Sequence, residues 1–184
     1  IYCAGIIFLI LGGLTGLYFV TIKGIVILIL LTFAIISIYF YSTNIVNAGL
    51  GELFVAIKGC MIVLGSYYIQ SNMIDLTSVY VGIIAGLLSA VVLLVTSFPD
   101  YEADKKSGRR TLIIIAGKEN SVKIFIATII VTYGMIIGGS INNIIPIFST
   151  IGLLSIPFAA KAIYKLRRFN DTTQLVSSMA NSIV

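Results

Sequence analysis

The sequence predicts an all-α fold, a polytopic bundle of transmembrane helices, and three observations predict it. Of the 184 residues, 59% are hydrophobic and 10% are charged, against about 45–50% and about 25% in a soluble domain. The apolar residues fall in long uncharged runs, at Ile1–Ile22, Gly24–Gly51, Gly59–Ile74, Leu76–Pro99 and Ile124–Ala160. The basic residues gather in two segments that an even number of crossings puts on one side. A core of this size could not hide so much apolar surface, so lipid is the solvent that the composition calls for.

A helix needs roughly 20 apolar residues to cross a bilayer. The first two runs predict spans at about 2–21 and 24–41. The third run is short by itself. It predicts a span at about 53–71 when Leu53–Ile57 joins it and Lys58 lies shallow, its ammonium reaching the headgroups. The fourth run predicts a span at about 77–98. The fifth is too long for one crossing, and the turn-forming residues Gly138-Gly139-Ser140 and Asn142-Asn143 divide it. It predicts spans at about 122–139 and 144–162, which makes six in all.

The chain starts at Ile1 inside an apolar run, with neither a charged leader nor a cleavage site, so no signal peptide is read there. The expectation is a single transmembrane domain over 1–184 that is a piece of a longer protein, with an upstream part and, at Leu175–Val184, room for the start of another element.

Lys and Arg mark the cytoplasmic ends of short loops. Lys105, Lys106, Arg109, Arg110, Lys118 and Lys123 lie between the fourth and fifth spans, and Lys161, Lys165, Arg167 and Arg168 follow the sixth. The other face has Lys23 and Asp75. The basic loops and the segment Ser42–Glu52 are therefore expected on the cytoplasmic side of the cell's inner or plasma membrane. The net charge of +5 follows from this bias, with anionic headgroups as the partner and no nucleic acid. The chain has no His, which excludes His-based acid–base work and His metal ligands within it. Cys3 and Cys60 have no metal-binding spacing and read as packing residues.

Chemistry concentrates in Ser97–Leu112, at the cytoplasmic end of the fourth span. Asp100 and Asp104 are four residues apart, which on a helix puts them on one face. Like charges at that spacing repel, and neither has a Lys or Arg three or four residues ahead. Glu102 has both Lys105 and Lys106 and reads as a paired surface charge. The two aspartates read as a pair that wants a cation. Mg²⁺ is typically held by one or two carboxylates together with substrate phosphates, and Lys105, Arg109 and Arg110 follow with the donors that hold diphosphate oxygens. On spacing alone, a solvated loop of mixed charge is the plainer alternative.

Phe98-Pro-Asp-Tyr-Glu-Ala-Asp-Lys-Lys-Ser-Gly-Arg-Arg-Thr-Leu112, followed by Ala116-Gly-Lys-Glu119, resembles the second aspartate-rich motif of the UbiA superfamily of intramembrane prenyltransferases. Gly49-Leu-Gly-Glu-Leu-Phe-Val55, then Gly59, then Val63-Leu-Gly-Ser-Tyr-Tyr-Ile-Gln70, resembles the MenA-like branch, which prenylates 1,4-dihydroxy-2-naphthoate in menaquinone synthesis. The resemblance covers essentially the whole chain as the later six of about nine family helices. It implies a central cavity in the bundle, with polyprenyl diphosphate and an aromatic acceptor as substrates and Mg²⁺ bound by Asp100 and Asp104. It also implies that Tyr41 and Ser42 border the diphosphate pocket. Tyr41 reads equally as an interfacial belt residue, and Tyr67 and Tyr68 read as packing residues or as part of the wall of the tail cavity.

The family's first motif, Asn/Asp-x-x-x-Asp, is not in this sequence, which has no Asp before Asp75. If the sequence is a piece of a longer protein, the resemblance places that motif upstream of Ile1; if it is whole, half the metal site is missing. By itself this segment is expected to be inactive. Ser42–Ala48 also lacks the basic residue often found there, which leaves hydroxybenzoate, homogentisate or a glycerol-phosphate lipid as alternative acceptors. A permease or non-catalytic membrane protein is the remaining class. Transporters tend to show internal repeats and paired broken helices, and neither is evident.

Overall fold

Glycines, asparagines and prolines decide where each helix stops. The computed structural model describes residues 2–41 and 48–167. Helix α1 (Tyr2–Lys23) meets α2 (Ile25–Phe40) at Gly24, whose φ of 77° suits a residue without Cβ. Next come α3 (Gly51–Ser71), α4 (Leu76–Thr96), the short helices α5 (Tyr101–Lys106) and α6 (Leu112–Ala116), and α7 (Lys118–Ile141). A 3₁₀ stretch, Ile147–Ser155, then runs into α8 at 156–167.

Five segments are long and apolar enough to cross a membrane: Ala4–Lys23, Gly51–Ser71, Leu76–Thr96, Lys118–Ile141 and Ile147–Arg167. They fall on five of the six expected spans. Over the expected span at 24–41 the described residues hold an apolar helix, Ile25–Ile38.

The break expected inside the long fifth run lies at Asn142 and Asn143. Asn143 takes a left-handed φ of 54°, and the amide of Ile144 donates to the carbonyl of Gly139 at 2.8 Å, closing the helix end. The next segment departs from the expected α-helix. Pro157 has no N–H to give the carbonyl of Leu153, which instead accepts from Ile156 in a tighter turn.

Large apolar side chains point outward along the spans. Phe8 is 73% exposed and Phe148 is 78% exposed. Exposure on this scale marks a surface that meets lipid, and helices are one of the two structures that satisfy their own backbone there. The chain is an integral membrane protein.

The tightest contact is between α3 and α4. Gly82 and Gly86 lie four apart on one face of α4. A Cβ on Gly86 would come within 2.3 Å of the Ala56 carbonyl oxygen, and one on Gly82 within 2.9 Å of the Cys60 sulfur. Small residues let the two backbones approach in the way common between membrane helices, which gives Cys60 the packing role expected of it.

Two polar ends and two small cores organise the bundle. At one end Lys23 Nζ donates to Asn72 Oδ1 at 2.7 Å, the Tyr67 hydroxyl donates to Asp75 at 2.6 Å, and the Tyr68 hydroxyl donates to the Lys23 carbonyl at 3.3 Å. Tyr67 and Tyr68 thus serve this end. Asp75 also caps α4 in a reciprocal capping box with Ser78. Ile84, Ile136 and Ile145 form the core beside it. The core at the opposite end joins Val91, Leu94 and Phe98 to Ile113 of α6, Val122 and Phe125 of α7 and Leu166 of α8. Ile113 is completely buried, so the loop between α4 and α7 is pinned to the bundle from beneath.

Candidate functional site: an acidic pocket at one end of the bundle

Asp100 sits at the cap of α5, and the amide of Asp104 donates to its carbonyl at 2.8 Å. This single helical turn puts both side chains on one face. α5 then ends on Gly108, whose φ is 74°. The amide of Gly108 returns to the carbonyl of Lys105 at 3.3 Å, and that of Arg109 returns to the carbonyl of Asp104 at 3.0 Å. This glycine-ended helix stop folds the chain back, and the Arg109 guanidinium reaches Asp104 Oδ1 at 3.3 Å. The sequence Asp-Lys-Lys-Ser-Gly-Arg thereby builds an acid–guanidinium pair within six residues.

Asp100, Asp104 and Arg109 line a polar pocket of about 140 Å³, together with Tyr41, Glu52, Ser97 and Thr111. Four elements supply its walls: the end of α2, the start of α3, the end of α4, and the loop that holds α5. The Thr111 hydroxyl is buried there with no hydrogen-bond partner. Tyr41 is held by stacking on Phe54, ring centroids 6.0 Å apart, and by the Lys58 ammonium 5.5 Å from its ring centre. Lys58 is thus turned toward this end, as snorkelling requires. Its side chain also lines an apolar groove of about 380 Å³ between α1, α2 and α3, walled by Gly16, Phe19, Leu31, Phe33 and Ile62.

Of the residues singled out in the sequence, the fold brings Asp100, Asp104, Arg109 and Tyr41 together. Lys105 and Arg110 are not in the pocket wall. Lys105 is one residue past Asp104, about 100° round the helix, and its ammonium lies 5.9 Å from the ring centre of Tyr101. Arg110 is exposed on the loop. Ser42 lies outside the described residues. Glu102 points away from the pocket, 63% exposed, with its carboxylate 3.7 Å from Lys118. Glu52, Ser97 and Thr111 were not among the expected site residues. Glu52 carried a signal, because it stands at the end of a span on the same side as Asp100 and Asp104.

The donors suit Mg²⁺ and a diphosphate. Two carboxylates and an unpartnered hydroxyl share one polar recess, and hard oxygen ligands with room for water and phosphate are what Mg²⁺ takes. Among the described residues no three Asp, Glu, Cys or His side chains are placed to hold one ion together. Among the described residues, Asp100 and Asp104 are the carboxylates that would hold the ion.

A family model described as the UbiA prenyltransferase family matches residues 3–182. Over 114 residues the chain is 32% identical to a 1,4-dihydroxy-2-naphthoate octaprenyltransferase of Bacillus subtilis, which covers 61% of this chain and 37% of that protein. Over 70 residues it is 37% identical to a protein of the same name from Haemophilus influenzae, which covers 38% of this chain and 23% of that protein. The chain thus aligns with about a third or less of each relative's length. No solved structure matches significantly.

Proposed function

Because the chain belongs to the UbiA prenyltransferase family, we propose that it serves transfer of a polyprenyl group from an allylic diphosphate to an aromatic acceptor, with 1,4-dihydroxy-2-naphthoate the first candidate. The observation that carries this reading is the shared pocket of Asp100, Asp104, Arg109 and Tyr41. The names of both relatives support the acceptor. In this reading residues 1–184 form one transmembrane domain of the enzyme. The pocket opens on the cytoplasmic side, since Lys105, Lys106, Arg109, Arg110 and Lys118 surround it.

Asp100 and Asp104 would hold Mg²⁺. When bound, the ion supplies positive charge to the oxygens of the leaving diphosphate. Arg109 swings its guanidinium between Asp104 and those oxygens, which it can grip with paired N–H donors. Lys105 and Arg110 remain outside the pocket and attract the anionic head group toward it. The prenyl tail runs along the apolar groove beside Lys58. The bundle keeps water from the allylic cation, which water would quench.

The test is an assay of the full-length protein in lipid nanodiscs with Mg²⁺, a polyprenyl diphosphate and a panel of acceptors. Prenylated naphthoate with release of CO₂ is the expected product. Transfer only to hydroxybenzoate, homogentisate or a glycerol-phosphate lipid changes the acceptor and keeps the enzyme. No transfer to any acceptor leaves a membrane protein without this chemistry.

A further inference from the structure

We infer that Glu52 is the base that takes the acceptor's hydroxyl proton during prenyl transfer, an inference that rests on the aromatic-acceptor reading above. Glu52 is the second residue of α3, where a carboxylate favours the positive end of the helix dipole. An exposed carboxylate would serve the dipole as well. This one is 8% exposed and lines the same pocket as the aspartates. Among the described residues it has no cation within ion-pair distance, for the ion pairs there are Arg109–Asp104 and Lys118–Glu102. An enclosed carboxylate without a cation is costly, and accepting a proton relieves that cost.

The surrounding charges separate its role from the metal's. Asp100, Asp104 and Arg109 enter the pocket from the loop, and Tyr41 enters from α2 with Lys58 across its ring. Glu52 does not join the aspartates in a three-carboxylate cluster. It enters the pocket from α3, a different element from the loop that carries the aspartates, and in the proposed reaction the acceptor hydroxyl lies against it. Positioned proton transfer of this kind contributes about 10²–10⁴-fold to a rate.

The bonds account for every proton and electron pair. The carbon–oxygen bond of the allylic diphosphate breaks, and its electron pair leaves with the diphosphate. The ring carbon ortho to the hydroxyl bonds to the allylic carbon. The hydroxyl proton passes to Glu52 as that oxygen becomes a carbonyl. Loss of CO₂ from the alkylated carbon returns an electron pair to the ring, and the carbonyl oxygen takes the proton back from Glu52.

The experiment compares wild type, E52Q and E52D in the full-length protein, with 1,4-dihydroxy-2-naphthoate and with its methyl ether at the hydroxyl next to the carboxylate. E52Q is expected to lower kcat about 100-fold or more with the KM for diphosphate unchanged, and E52D to keep part of the rate. Wild type should lose a similar factor on the methyl ether, and E52Q should lose nothing further. An E52Q kcat within about threefold of wild type overturns the inference. So does a full further loss of E52Q on the ether, or a raised Mg²⁺ requirement that makes Glu52 a metal ligand. Should E52Q not fold, equal rates of wild type on the two acceptors overturn it alone. A wild type inert with every aromatic acceptor sinks the functional reading, and this inference with it.

Discussion

The two ends of the bundle are both polar and are built on opposite rules. At the end formed by Lys23, Asn72 and Asp75, side chains find partners inside the chain: Lys23 on Asn72, Tyr67 on Asp75, and Thr77 on the Ile144 carbonyl at 2.9 Å. At the other end, among the described residues, Glu52 has no ion-pair partner, Thr111 has an unpartnered hydroxyl, and Arg109 pairs with Asp104 but not with Asp100. Burying polar groups without partners costs stability, so a fold keeps them where something else supplies the partner. The first end still buries one unpartnered hydroxyl, that of Ser140, but its charged groups are paired within the chain; the second gathers carboxylates that the proposed ligand would engage.

The largest expected effect lies at the open end. Asp100→Ala or Asp104→Ala in the full-length protein should lower prenyl transfer about 10³-fold without lowering the melting temperature. Near wild-type turnover at saturating Mg²⁺ would break the contrast between the ends. A substitution in the seam both ends depend on should act the other way. Gly86→Ala drives a methyl into the Ala56 backbone and should cost about 1–3 kcal/mol, read as a lower melting temperature in detergent. Gly13→Ala, with open space around it, is the control and should cost nothing measurable.

At the closed end, Asp75→Ala should lower the melting temperature by a few degrees and leave turnover unchanged. A pH titration sharpens the point. The Tyr67 hydroxyl, followed by the Ser78 amide, holds the Asp75 carboxyl below its ordinary value. A carboxyl so depressed adds stability above its unfolded value, near pH 3.9, and that stability is lost as pH falls through the folded value. Wild type should therefore lose thermal stability below about pH 4, and Asp75→Asn should lose less over the same window. The smallest effect belongs to Glu102→Ala. Its partner is 3.7 Å away and it is 63% exposed, and such pairs are worth about 0–1 kcal/mol. Turnover should stay within about threefold, and a loss equal to that of Asp100→Ala would show that the wrong carboxylates were chosen.

The spans and the paired aspartates were legible in the sequence because both rest on local rules. Hydrocarbon thickness fixes span length, and four-residue spacing fixes a helix face. The Asn142-Asn143 break was legible for the same reason. Arg109 could not be told from Lys105 and Arg110, because the direction of each depends on where a six-residue helix stops. Glu52 read only as part of a motif, because the pocket it lines is completed by Tyr41 and by residues about fifty positions away. The 3₁₀ stretch before Pro157 depends on how particular backbone groups pair, which hydropathy does not record.

The burial of Ile113 beneath the carboxylates has a mechanical side. Its side chain ties the aspartate loop to Val91 and Leu94 of α4 and to Phe125 of α7. A thinner or thicker bilayer changes the tilt its helices adopt, and any relative tilt of α4 and α7 must drag that loop along. The lipid around the protein thus becomes a setting for the spacing of its acidic groups, and turnover should respond to acyl-chain length even when every substrate is saturating.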